Sequence, residues 1–159
     1  MTRIAHIVAA GLIGLSVSLA ASAAEAPPLS KGQTVYVPVY SQVQHGNQDR
    51  SGKPDEWLLS AMLSIRNTDP KSSIALRSVR YFDSKGKLLR DYPVTATLAP
   101  LESREVFIEN RDTEGGVGAN FLVVWDAASP VNAPIIETVH SNFYGNHSVV
   151  FTSPGQPLR

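Results

Sequence analysis

A chain of 159 residues, 43% apolar and 18% charged, has the size of one globular domain with at most a tail and is too apolar to be disordered. Fourteen basic residues against fourteen acidic ones leave no electrostatic footprint for nucleic acid, and the weak cluster Arg77, Arg80, Lys85, Lys87 and Arg90 reads as the solvated face and tip of a hairpin. The absence of cysteine removes disulfides, thiolate metal sites, thiol nucleophiles and a lipid-modified cysteine, so core burial alone must hold the domain together.

Residues 1–24 have the three-part form of a secretory signal peptide. Arg3 supplies the positive charge, an uncharged run carries Ile7, Val8, Leu12, Ile13, Leu15, Val17 and Leu19, and Ala21-Ser22-Ala23-Ala24 offers small residues at the cleavage site. An uncleaved anchor would need about 20 apolar residues, and glycines with Ser16 and Ser18 break this run. The expectation is cleavage after Ala23 or Ala24, a periplasmic address and no stable membrane insertion afterwards. Without Arg3 the net charge becomes −1. A mature chain of about 135 residues can bury roughly two-thirds of its unfolded surface.

Residues 25–32, with Pro27 and Pro28, read as an extended leader, residues 33–155 as the folded domain and 156–159 as a tail. From Gln33 the pattern is period two. Val35, Val37 and Val39 alternate with Tyr36, Pro38 and Tyr40, a strand that Pro38 confines to an edge or bulge because it cannot donate to a ladder. A long polar loop, functional or mobile, is expected over Ser41–Glu56. Trp57, Leu59, Ala61, Leu63 and Ile65 share one face of a strand over Trp57–Arg66. Asn67–Lys71 turns the chain, and Ile74–Asp83 is a strand whose parity shifts between Leu76 and Val79, the mark of a bulge. Ser84–Lys87 is a hairpin turn with Gly86 at positive φ, leading to strands over Leu88–Tyr92, Val94–Leu98 and Arg104–Glu109. The continuous apolar run Phe121–Trp125 suggests a central strand covered on both faces. Ile135–Phe143 and Ser148–Thr152 form a last pair about Gly145. With no helical stripe, about seven to nine short strands predict an all-β fold, an immunoglobulin-like antiparallel β-sandwich, with Trp57 and Trp125 in its core.

Four strings resemble a family of exported bacterial proteins catalogued as a domain of unknown function: Tyr36-Val-Pro-Val-Tyr-Ser41, Leu63-Ser-Ile-Arg-Asn-Thr-Asp69, Gly115-Gly-Val-Gly-Ala-Asn-Phe121 and Pro134-Ile-Ile-Glu137. Trp125 and Phe151-Thr-Ser-Pro-Gly155 fit as well. The resemblance spans nearly the whole mature chain. It implies a periplasmic or lipid-anchored protein, of which the cysteine-free form here departs from the anchored kind, and it implies no activity.

The segment Asn110–Asn120 is the most suggestive one. Asn110, Asp112 and Glu114 place side-chain oxygens at alternate positions before a glycine, as the first half of a calcium loop does, but the twelfth position is Phe121 and not a bidentate Glu. Gly115, Gly116 and Gly118 open no helix that would cradle phosphate, and they serve equally as unusual-φ positions of a connection. Ligand-contact candidates are therefore Asn110, Asp112, Glu114, Gly115, Gly116, Gly118 and Asn120. Among the histidines, His140 and His147 flank a hairpin turn. A two-residue turn separates them by roughly 13 Å at about 3.4 Å per residue, too far to share one metal at bonds of about 2 Å. A metal would need His45 from the long loop with one of them, which leaves His45 and His140 as candidates. Glu137 shares parity with Ile135, Val139 and Phe143, where it needs a cation partner or a position that reaches water. No G-x-S-x-G, H-E-x-x-H or phosphate loop is present, and no cofactor motif. The expectation is a non-catalytic periplasmic module that binds a protein, peptide or envelope component. The alternative is a protein that binds a metal or small ligand through His45, Asp112, Glu114 or His140.

Overall fold

The computed structural model describes residues 27–93 and 96–159. Its elements are β1 (Ser30–Val39), β2 (Gln42–Gln48), β3 (Pro54–Leu58), β4 (Ser60–Arg66), β5 (Ile74–Phe82), β6 (Leu88–Tyr92), β7 (Ala96–Leu98), β8 (Ser103–Ile108), β9 (Ala119–Val131), β10 (Ile135–Tyr144), β11 (His147–Pro154) and β12 (Gln156–Pro157), with one 3-10 turn at Gly116–Gly118. The chain is all-β. One sheet runs β12-β1-β9-β5-β6 with β7 also on β5, the second runs β11-β10-β4-β8, and β2–β3 stand apart as a two-stranded ribbon. Every strand pair is antiparallel.

The core lies between the two larger sheets. Val35, Val37 and Val39 of β1, Ile74, Leu76, Val79 and Tyr81 of β5, and Phe121, Val123 and Trp125 of β9 face Ala61, Leu63 and Ile65 of β4, Val106 and Ile108 of β8 and Ile136 of β10. Each fully buried aliphatic or aromatic side chain here contributes about 1.5–3 kcal/mol. The parity shift in β5 is real. Its register on β9 slips between Leu76 and Ser78, and the bulged Arg77 turns outward to hold Asp126 at 2.6 Å. The Ser84–Lys87 turn also forms, with Gly86 at φ +78°. Pro38 pairs with Asn120 of β9 on one side, while β12 covers only Val35 and Tyr36 on the other. The missing N–H therefore falls at an open edge.

Several expectations are corrected. Ser41–Glu56 is no loop: β2 and most of β3 lie in it as a hairpin, closed by Asp49, whose Oδ1 accepts the N–H groups of Ser51 and Lys53. Both faces of β2 are largely solvated, so it carries no alternation to read. The strand over Trp57–Arg66 breaks at Leu59, and Trp57 leaves the core to sit half-buried on the ribbon. Trp125 is buried as expected. β9 is central, between β1 and β5, yet Leu122 and Val124 are only half-covered, so one face is buried and not two. In β10 the buried row is Ile136, Thr138 and His140, and Glu137 stands on the outer row with exposed Ile135 and Phe143. Among the described residues twelve strands replace seven to nine, because several are two to five residues long. Strand structure also runs past the drawn boundaries, with Ser30–Gly32 already in β1 and Gln156–Pro157 in β12. The signal-peptide segment, residues 1–24, lies outside the described residues.

Candidate functional site

β6 and β8 are the facing outer strands of the two sheets on one flank of the sandwich. Beyond Ile108 the chain turns sharply, the Asp112 N–H donating to the Glu109 carbonyl at 3.0 Å and the Gly116 N–H to the Thr113 carbonyl at 3.2 Å. These turns bring residues 109–114 against β6 and enclose an open cleft of about 620 Å3. Its walls are Arg90 and Tyr92 from β6, Phe107 from β8, and Glu109 with Arg111–Glu114 from the turn.

Charge in the cleft is largely paired. Arg90 holds Asp112 at 2.5 Å and approaches Glu114 at 3.9 Å, and Arg111 pairs with Glu109. The Tyr92 side chain, and after it the Asp112 carboxylate, raise the Arg90 pKa above its usual value. Three carboxylates against two guanidiniums leave the cleft with one net negative charge. The second oxygen of Asp112 is buried and has no hydrogen-bond partner. Phe107, 63% exposed, supplies a large apolar surface beside it.

Of the sequence candidates, only Asp112 and Glu114 meet in this cleft. Asn110 is exposed and faces a shallower depression beside Phe107 and Ser60. Asn120 is spent as a β9 ladder position between Pro38 and Phe82. The glycines serve packing. A Cβ on Gly115 would sit 2.0 Å from the Tyr81 hydroxyl, and Gly116 has φ +71°. The Gly115 carbonyl accepts from both the N–H and the hydroxyl of Ser84, that hydroxyl accepts the Gly118 N–H, and the Gly116 carbonyl accepts the Ser41 N–H. The run thus ties the β5–β6 turn to the end of β1, and its polar backbone faces protein. Arg90, Tyr92 and Phe107 carry no motif. The one available signal was parity, which puts Phe107 opposite to Val106 and Ile108 and so out of the core.

The histidine candidates are separated. His45 lies on the ribbon with its ring 4.8 Å from Trp57, and His147 approaches the other histidine's neighbour, its ring 6.4 Å from that same indole. His140 is completely buried. Its Nε2 accepts the Tyr40 N–H at 3.1 Å, which fixes the proton on Nδ1, and its ring stacks on Phe151 at 4.5 Å. Nδ1 has no regular hydrogen bond. Burial pushes the His140 pKa down to about 4, with the Phe151 backbone acting weakly in the other direction. No group of three or more His, Asp or Glu side chains spaced for a metal occurs among the described residues.

A family model described as "Protein of unknown function (DUF3124)" matches residues 32–158, nearly all of the described chain. No curated protein matches the chain. A solved structure titled "Crystal Structure of Thermotoga maritima 1070" is similar at 11% identity and a TM-score of 0.41, over 78% of this chain and 92% of that one.

Proposed function

We propose that this chain, which belongs to the DUF3124 family of proteins of unknown function, is an exported, non-catalytic binding module that takes an extended protein or peptide segment in the cleft between β6 and β8. The observation that carries this reading is the exposed Phe107 ring in the wall of a cleft with one net negative charge, between two strands that each have a described neighbour on one side only. An extended segment suits such a place. A basic side chain of it can meet the net negative charge, and one apolar side chain can cover the phenyl ring. Residues 1–24 support export through a signal peptide cut after Ala23 or Ala24.

A photo-crosslinking side chain placed at Phe107, with a control at Leu101 on an exposed turn, tests this in cells. The expected result is a discrete adduct from position 107 that Glu114→Arg suppresses, on a protein whose mass begins at Ala24 or Glu25. Equal labelling from both positions, or none from position 107, would sink the cleft. A retained N-terminal segment would sink the export reading independently.

A further inference from the structure

Every sheet edge in the described chain but one is blunted. β8 carries Arg104 and Glu105, and β6 carries Arg90 and Asp91. β12 and β7 are two and three residues long. The uncovered half of β1 is interrupted by Pro38, whose carbonyl takes the Thr138 hydroxyl at 2.5 Å, while the Tyr40 N–H goes to His140. β2 is broken by an irregular register after His45, and β3 carries Asp55 and Glu56. Charges, proline, bulges and shortness are the devices by which proteins keep strand edges from pairing.

β11 has none of them along its length. His147–Pro154 holds no Lys, Arg, Asp or Glu, reaches its only proline at its last residue, and pairs in unbroken register with β10 alone. The two-residue turn at Gly145-Asn146 makes Tyr144 and His147 the hydrogen-bonded pair next to the turn. The backbone groups of Ser148, Val150 and Thr152 therefore point away from β10. No backbone partner for them occurs among the described residues.

We propose that β11 is a dimerisation edge, whose occupant is β11 of a second copy of this chain, antiparallel about a two-fold axis at Val150. That register sets Val150 against Val150 and Ser148 against Thr152 of the other copy, and makes about six new backbone hydrogen bonds. It brings no like charges together. The same operation on β8 opposes Arg104 to Arg104 or Glu105 to Glu105, or sets Glu105 against Phe107, and a charge opposed to its like across a strand pair is destabilising. Val150 is 57% exposed in one copy and gains cover in two. The join makes one continuous sheet from the two β11-β10-β4-β8 sheets, an isologous contact that closes at two copies.

The chain has no cysteine, so single cysteines report on the register directly. Residues in a hydrogen-bonded antiparallel pair lie about 5.5 Å apart at Cα, within disulfide reach. The mature protein in sedimentation velocity should shift from monomer to dimer mass over about 5–200 µM, a range suited to a micromolar interface. Under mild oxidation Val150→Cys should give a covalent dimer at least tenfold faster than Ser148→Cys, whose opposite residue is Thr152. Val150→Lys should stay monomeric with an unchanged circular dichroism spectrum, and Phe107→Lys should dimerise as before. A monomer at every concentration overturns the proposal. So does a dimer that Val150→Lys leaves intact, or equal crosslinking from positions 148 and 150.

Discussion

Acidification from neutral pH should destabilise this protein first through one residue, His140. His140 is buried between Tyr40 and Phe151, and it accepts the Tyr40 N–H through Nε2, so only the neutral ring fits the folded state. Its pKa falls from 6.5 in the unfolded chain to about 4 in the fold. Between those values the unfolded state holds a proton that the folded state refuses, so stability rises with pH across the window and is lost as pH falls. At about 1.4 kcal/mol per pH unit the loss between pH 6.5 and 4 is about 3 kcal/mol, a large share of a typical 5–15 kcal/mol. Urea unfolding at pH 7.5, 6.5, 5.5 and 4.5 measures it. His140→Phe should flatten the slope in that window. At pH 7.5 the same variant should be less stable by about 1–3 kcal/mol, because the Tyr40 N–H loses its acceptor. Asp69, held low chiefly by the Lys71 backbone N–H, and Asp83, held low chiefly by that of Lys87, lose their contributions later, as pH falls from the ordinary carboxylate value through their lowered folded ones. A wild-type stability that is flat from pH 6.5 to 4.5, or a slope unchanged in His140→Phe, would refute the reasoning.

Other positions give sharper local tests. Pro100 and Leu101 occupy a turn closed by the Glu102 N–H on the Ala99 carbonyl, and Leu101 sits at φ +63° where that turn type wants glycine, so Leu101→Gly should stabilise by about 1 kcal/mol in urea titration. Gly115→Ala should cost at least about 2 kcal/mol from overpacking, and Tyr81→Phe should recover part of it by removing the oxygen 2.0 Å from the new methyl, as melting temperatures of the double mutant would show. Asn67→Ala should cost about 2–3 kcal/mol in chemical unfolding, since its buried amide donates to the Ser72 and Ala99 carbonyls and accepts the Asp69 N–H. Arg77→Ala, by contrast, should change stability by less than about 1 kcal/mol, because its pair with Asp126 is solvent-exposed.

What was legible in the sequence follows from which residues obey one physical rule at a time. β4, β5 and β8 are buried on one face, so alternation marks them, and even the bulge at Arg77 appears as a slipped parity. β2 is solvated on nearly both faces and β10 has side chains of mixed polarity on both, so neither face declares itself. In β10 that ambiguity hid the most consequential residue of the second sheet. Thr138 and His140 face the core as polar groups because β1 passes over them and supplies the Pro38 carbonyl and the Tyr40 N–H. Contacts across 100 residues of chain leave no local pattern. The same holds for the cleft. Asp112 and Glu114 drew attention through their spacing, but the partner that organises them, Arg90, is set by the packing of β6 against the turn after β8.

The two proposed surfaces lie on opposite flanks of one sheet, because its strand order places β11 at one end and β8 at the other. Joining two copies through β11 therefore leaves both clefts free at the outer ends of the combined sheet. With strands about 4.8 Å apart, the two β8 edges stand roughly 34 Å from each other. A dimer of this form is a divalent binder, and it gains most on a partner that repeats its extended segment at that spacing, where the second contact is made at high effective concentration. Val150→Lys then separates the two roles. It should leave the affinity for a single soluble segment unchanged, while lowering the apparent affinity for a surface that displays many copies by about a hundredfold. Equal losses on both would mean that β11 and the cleft are one site, which their separation across β10 and β4 forbids.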